Sequence, residues 1–333
     1  MARNQRIFYA CQAVIIVGEG ATVSSAGVVK GLQSVGMSSN FSLDQVFEMG
    51  QLEIYENIED VADIEVTLEK VIDGEKLIWD LTSAGACKTD IVAASKAKCD
   101  VYLGIFDDGV SNATGVPRNV CWNSGMYTSS ISYSYSIDGS ATESVTLVGN
   151  DRFWNSVTNR TGTTAGTRWS SNPTAAFSGS DTPKSGVVRR NEVDMIGSEL
   201  PDVVKGQLGD DAVGKGGNYH IQSVSVSTDM SQENIMELGR FGPYHRFASF
   251  PIEVTCEFEV IATSGDLQTV SGDGPNLTGE EIVIRDAAGT VLNLGLKNKL
   301  SSVSYSGADT GGGNATVSYS YSNYNSLTAD GGS

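Results

Sequence analysis

The chain repeats itself, and that repeat limits what it can fold into. Residues 33 to 55 align without a gap on residues 222 to 244. Gln33, Ser34 and Val35 match Gln222, Ser223 and Val224, while Ser38, Glu48, Gly50 and Tyr55 match Ser227, Glu237, Gly239 and Tyr244. Val46 and Asp44 face the conservative exchanges Ile235 and Glu233. After a one-residue slip, Ile64 to Thr67 matches Ile252 to Thr255, and Ser129 to Ser134 resembles Ser301 to Ser306. Alternating Ser and Val recurs in any β protein. A match that keeps its spacing through strand, turn and loop argues instead for two tandem copies of one domain.

Each copy reads as a series of strands. Leu32 to Ser38 and Ile221 to Ser227 open the copies. Ser42 and Gln45 fit a capping box, so a short helical turn is expected next, stopped at Gly50 or Gly239. Long strands follow, Asp63 to Ile72 and Ile252 to Thr263, with Ile64, Val66 and Leu68 on one face and Glu65, Thr67 and Glu69 on the other. In the first copy the spacing predicts helices over Leu77 to Cys87 and Ile91 to Lys98, then a strand from Asp100 to Phe106. Ile131 to Val148, turning at Asp138-Gly139, is the clearest hairpin. The second copy replaces the helix with the Gly-rich loop Ser271 to Gly279. It closes with strands at Ile282 to Arg285, Val291 to Leu296, Leu300 to Ser306 and Ala315 to Ser322. The domains are read as 1–154 and 219–333, separated by a linker or insertion at 155–218, with Ala329 to Ser333 expected to be a disordered tail. Within the insertion, Val187 to Leu200 is mixed enough in composition to dock on the body.

Composition narrows the chemistry. The 333 residues carry a net charge of −18, which speaks against gripping nucleic acid, since that needs Lys and Arg to release counterions. The acids concentrate between Asp44 and Lys76, where only Lys70 and Lys76 oppose them. That run is either a solvated face or a surface that repels a passing polyanion. No stretch approaches the ~20 apolar residues of a membrane span, and the apolar run Ala13 to Val17 reads as a buried strand. The five cysteines stand singly, without disulfide or zinc spacing, and read as small hydrophobes in a reducing setting. Gly18-Glu19-Gly20 has Val23 where a dinucleotide loop needs its third glycine. Asp107-Asp108-Gly109 and Asp210-Asp211 lack EF-hand spacing and read as turn acids. With two histidines and no Gly-x-Ser-x-Gly elbow, no catalytic constellation is expected, and neither is a cofactor or metal.

Three segments carry a resemblance. Gln51-Leu52-Glu53-Ile54-Tyr55-Glu56-Asn57-Ile58-Glu59 followed by Ile64 to Lys70 is the first. Glu237 to Phe247 followed by Phe250-Pro251-Ile252-Glu253-Val254-Thr255 is the second, and the hairpin Ile131 to Asn150 is the third. Together they resemble tail tube proteins of long-tailed bacteriophages over most of residues 30 to 155 and 219 to 325. The resemblance implies a mainly-β fold: two tandem β-sandwich or barrel domains, each of the tail-tube type with a flanking α-helix, whose strands join neighbours around a ring. It implies a virion protein made in the host cytoplasm, whose rings stack into a conduit for DNA ejection. Implied partners are further copies of the chain, tail terminator, baseplate or tip and tape measure proteins, and a sheath where the tail contracts. DNA would pass without specific binding, and no membrane is involved. Two copies per chain imply homotrimeric pseudo-sixfold rings; a single elaborated domain would give homohexamers.

The resemblance assigns inter-ring or inter-subunit contacts to Leu52, Ile54, Tyr55 and Ile58, and to Arg240, Phe241, Tyr244, His245, Arg246 and Phe247. Arg240 and Arg246 are expected to meet the acidic Glu53 to Asp63 loop of a neighbouring copy. Glu65, Glu69, Glu253 and Glu257 are expected on an acidic lumen or loop face. The alternative reading is a secreted or surface β-sandwich binding or adhesion module, which would account equally for the Ser/Thr/Gly bias and the duplication.

Overall fold

A computed structural model describes residues 6–23, 25–83, 88–110, 117–156, 177, 184–207, 219–275, 277–308 and 312–331. Its strands in chain order are β1 (Gln12–Gly18), β2 (Leu32–Asn40), β3 (Leu43–Phe47), β4 (Ile54–Glu59), β5 (Asp63–Val71), β6 (Lys88–Asp90), β7 (Lys98–Ile105), β8 (Asn119–Ser136), β9 (Thr142–Gly149) and β10 (Asp151–Ser156). They continue with β11 (Val193–Asp194), β12 (Ile221–Asp229), β13 (Gln232–Ile235), β14 (His245–Ala248), β15 (Glu253–Ile261), β16 (Val283–Asp286), β17 (Thr290–Asn293), β18 (Lys299–Ser306), β19 (Thr316–Tyr324) and β20 (Thr328–Gly331). Three short helices, α1 (Ile78–Thr82), α2 (Ile91–Ala94) and α3 (Asp202–Lys205), make the fold mainly β.

Eight strands form a spine in the order β2-β5-β9-β8-β12-β15-β19-β18. The order within each half is the same: first strand, second, fourth, third. The registers repeat as well. The β2–β5 and β12–β15 ladders both break at their first step, between Leu32 and Ser34 and between Ile221 and Ser223. The β8–β9 and β18–β19 ladders break between Thr128 and Ser130 and between Leu300 and Ser302. Bulges are specific local features, so their recurrence fixes the residue equivalences. Ser38 corresponds to Ser227, Leu68 to Phe258, Tyr133 to Tyr305 and Glu143 to Val317.

The ladders differ from the sequence match at one place. Ile64 is equivalent to Val254, because Ser39 faces Ile64 and its counterpart Thr228 faces Val254. The sequence match had set Ile64 against Ile252. A shift of two residues leaves every side chain on its own face, so alternation alone does not fix it.

Around the N-terminal part of β8, strands β7, β1 and β10 extend the sheet to eleven strands. A second sheet, β11-β16-β17-β20-β6, draws strands from both halves of the chain. One continuous core runs through both halves, from Val66, Leu68 and Trp79 to Phe258, Ile284 and Leu292. A smaller cluster packs β1 and β7 against Val120, Trp122 and Phe177. Ala13 to Val17 is thus the buried strand expected, and Cys11, Cys99, Cys121 and Cys256 are buried thiols. Cys87 lies outside the described residues.

Other expectations change. The helical turn after the first strand is instead β3, hairpin-paired with β4, and β13 repeats this with β14. All five residues of β3 are exposed. A helix there would have no core to pack on, whereas cross-strand pairing satisfies its backbone directly. Gly50 and Gly239, at φ 94° and 87°, occupy left-handed turn positions of these hairpins. The helix expected from Leu77 is α1, ending at Thr82; residues 84–87 are outside the described set. α2 is one turn, capped by the Asp90 carboxylate, which accepts from the Val92 and Ala93 amides. The expected disordered tail is a strand as far as Gly331. β20 lies between β17 and β6, and Ala329 is fully buried. Within 155–218, Val188, Met195, Leu200 and Val204 join the main core and Phe177 the smaller one. The rest of that segment's Thr/Ser-rich stretch is outside the described residues.

Candidate assembly surfaces

The spine buries one face and leaves the other polar. On the outer face lie Ser38, Ser132, Ser134, Ser225, Ser227, Ser304, Ser318 and Ser320, with acids between them. Glu65, Glu69, Glu253 and Glu257 all fall on this face, joined by Asp63, Asp229 and Glu259 and opposed by Lys299. One contact recurs in both halves: the Ser34 hydroxyl donates to Glu69 at 3.3 Å, and the equivalent Ser223 donates to Glu259 at 3.3 Å. The acids of the Asp44 to Lys76 run divide. Some are on the β3–β4 hairpin, some on this face, and Glu75 and Asp73 pair with Lys30 and Lys70.

The β3–β4 and β13–β14 hairpins project as two equivalent arms. Both tips carry fully exposed apolar side chains, Met49 and Leu52 on one and Leu238 on the other. Ile54, Tyr55 and Ile58 line the first arm, and Phe241, Tyr244 and Phe247 the second, all exposed. Isolated exposed hydrophobes are ordinary; these stand at matching places on the two repeats.

The second arm is already in use within the chain, at an internal seam where β8 of the first half pairs with β12 of the second, from Ser136↔Ser223 to Ser130↔Asp229. Beyond the ladder, the Met230 amide donates to the Ser129 carbonyl at 2.7 Å and Gln232 Nε2 to the Thr128 carbonyl at 2.8 Å. The Tyr127 hydroxyl lies 3.1 Å from His245 Nδ1. Burial and the nearby Lys98 charge hold His245 below the usual imidazole range. Arg246 is buried, donating to Asp63 at 2.8 Å and to Asn150 at 3.1 Å. The expected meeting of Arg246 with the acidic stretch of a neighbouring copy therefore occurs at Asp63, inside one chain. Arg246 ties the two halves together. Arg240 instead makes a half-exposed pair with Glu237 at 3.8 Å, a contact of little energetic weight.

At the two ends of the spine, β2 and β18 have no outer neighbour among the described strands. They are the counterparts of β12 and β8. Phe41 is 72% exposed and Tyr305 53%, whereas their equivalents Met230 and Tyr133 are 0% and 1% exposed. Sequence reasoning missed Phe41, Tyr305 and Lys299 as surface features, although aligning them on their buried equivalents would have found them.

A polar cluster lies in the first half. Glu143 and Lys70 face each other across β5 and β9, both fully buried. The Glu143 carboxylate accepts from the Ile78 amide at 2.6 Å, the Trp79 amide at 3.1 Å and the Tyr133 hydroxyl at 3.2 Å. Lys70 donates to the Lys76 carbonyl at 2.8 Å and to Asp73 at 3.3 Å. Burial pushes the Glu143 pKa up to about 7 against the opposing pull of Lys70 and the two amides. The cluster anchors the start of α1. Among the described residues no group of His, Cys, Asp and Glu is arranged to hold a metal ion.

No protein-family model matches the chain, and no curated protein matches it in sequence. Among solved structures, the chain is similar to one from the anti-feeding prophage baseplate, at 11% identity and a TM-score of 0.32, over 46% of this chain and 97% of that one. It is similar also to one from the anti-feeding prophage tube-terminating cap, at 14% identity and a TM-score of 0.34, over 47% of this chain and 95% of that one. Likeness this faint bears on neither ancestry nor role.

Proposed function

We propose that this chain is a structural protein of a phage tail or tail-like particle, whose copies join head to tail into rings that stack into a tube. The observation that carries the reading is the pair of open edges. β2 and β18 are the counterparts of the two strands already joined at the internal seam, so one chain's last spine strand suits the first spine strand of the next. Contacts of that head-to-tail kind close into rings when the rotation allows. Closure also removes two edges that would otherwise invite aggregation. With two copies per chain, three chains complete a six-lobed ring of the kind the tail-tube resemblance implies.

The Ser-rich acidic face suits the inner wall of a conduit for DNA, since like charge keeps a polyanion from sticking. The exposed arm tips suit contacts between stacked rings. The role is structural rather than catalytic, and the setting is the particle, with terminator, baseplate and tape measure proteins as further partners. Electron microscopy of the purified protein tests this. Rings or tubes with three chains and six similar lobes are expected. Monomers that persist at high concentration would overturn the reading and favour a solitary binding module.

A further inference from the structure

We propose that the contact between chains copies the internal seam strand for strand but exchanges its chemistry, so that Lys299 of one chain pairs with Glu56 of the partner subunit. The inference rests on the ring reading above and adds the register and the polar partners. The internal seam is the template. It sets Tyr133 opposite Val226 and Ser132 opposite Ser227. The repeat converts these into Tyr305 opposite Met37 and Ser304 opposite Ser38 of the partner subunit. Tyr305 and Phe41, exposed in the lone chain, then take the buried places that Tyr133 and Met230 hold inside it.

The polar contacts change in kind. Tyr127 and His245, 3.1 Å apart at the internal seam, correspond to Lys299 and Glu56. Both of these are exposed, and neither forms an ion pair among the described residues. Arg246 corresponds to Asn57, and its acceptors Asp63 and Asn150 correspond to Glu253 and Tyr324. Asn57 of the partner subunit thus has a carboxylate to donate to. The seam inside the chain is held by a neutral Tyr–His contact and a pair between the buried Arg246 and the exposed Asp63. The seam between chains is held by a Lys–Glu pair at its rim, which steers docking and weakens with salt.

Two measurements test this on the full chain. Ser38→Cys with Ser304→Cys, oxidised after assembly, is expected to give disulfide-linked multimers on a non-reducing gel. Ser38→Cys with Ser302→Cys, a two-residue slip, is expected to give few. Separately, Lys299→Glu is expected to raise the concentration needed for ring assembly by roughly tenfold or more, and Glu56→Lys in the same chain to restore it. Each variant's thermal midpoint as a monomer is compared with the unaltered chain to exclude misfolding. Rings that form normally but link through the slipped pair, or do not link at all, overturn the register while leaving the ring reading intact. Rings indifferent to Lys299→Glu overturn the ion pair. An unaltered chain that forms no ring overturns the ring reading and this inference with it.

Discussion

In the first half of the molecule Lys70 faces Glu143 across β5 and β9; at the same ladder positions in the second half Val260 faces Val317. One ladder accepts two buried polar residues or two valines. The difference follows from what each half must hold. Glu143 anchors two amides at the start of α1, and the described residues of the equivalent connection in the second half form no helix. There Gln207, just after α3, provides the buried polar group instead, donating to the Tyr319 hydroxyl at 2.9 Å and accepting from the Thr263 amide at 2.9 Å. The two halves share backbone register, bulges included, and differ in the side chains beneath it. Strand pairing is set by backbone hydrogen bonds that any residue supplies, whereas filling is a local matter of volume and polar satisfaction.

Breaking the polar pair gives the largest effect. Glu143→Ala leaves two amides and the Tyr133 hydroxyl short of an acceptor at a buried site, and should cost about 3–5 kcal/mol by chemical denaturation. The valine pair of the second half, installed as Lys70→Val with Glu143→Val, should cost less than the sum of its two single changes, because the two side chains are direct cross-strand neighbours and their effects couple.

The next test compares the internal seam with the open edge. Met230→Ala, in the buried position, should cost about 2–5 kcal/mol in the isolated chain. Phe41→Ala, at the exposed equivalent, should stay within about 0.5 kcal/mol there. If the ring closes as proposed, Phe41→Ala will nonetheless impair assembly. Equal effects of the two changes on the isolated chain would deny that the sites differ.

A pH dependence is expected from Glu143 in the first half. Glu143 holds its proton more tightly when folded, with a pKa near 7 against an ordinary value of 4.5. The folded chain therefore binds more protons than the unfolded chain between those values. The stabilising contribution is present in full below pH 4.5 and is lost as pH rises through 7, a change of about 3 kcal/mol. Glu143→Gln should flatten that slope in urea titrations at stepped pH.

The smallest effect concerns the thiols. Burial pushes Cys99 and Cys256 far above the ordinary range and Cys121 up to about 11. Alkylation of the native chain at pH 8 followed by mass spectrometry should leave Cys11, Cys99, Cys121 and Cys256 unmodified, and denaturation should release all four.

Much of this architecture was legible in the sequence, because alternation over Asp63 to Val71 and the hairpin at Asp138-Gly139 are strong local signals. The acidic face was legible for the same reason: period-two placement sends Glu65 and Glu69, and Glu253 and Glu257, to one side. What misled was short-range grammar without its tertiary context. Ser42 and Gln45 spell a capping box, but an exposed arm has no surface on which a helix turn could rest. The C-terminal strand reads as a tail because Gly331 and its neighbours have the composition of one. Its order comes from β17 and β6, strands far apart in sequence. The internal seam, with Arg246 reaching Asp63 and Asn150, is invisible in the sequence as a pairing, although two of its residues, His245 and Arg246, stand out as contacts. A sequence shows that a residue will touch a neighbouring copy, but not whether that copy belongs to the same chain.

The β8–β12 seam has a kinetic consequence. In any ring built from such chains, half of the joints between copies form as the chain folds, at an effective concentration set by the connecting segment rather than by protein supply. Only the other half wait on diffusional encounter. A closed ring then needs fewer than half the collisions of one built from single-copy subunits, because its last joint closes without a further encounter, and partial rings with mismatched joints have fewer ways to arise. The joints left to encounter are those whose rim charges respond to ionic strength, so the onset of assembly can be set by the medium while the subunit itself stays intact.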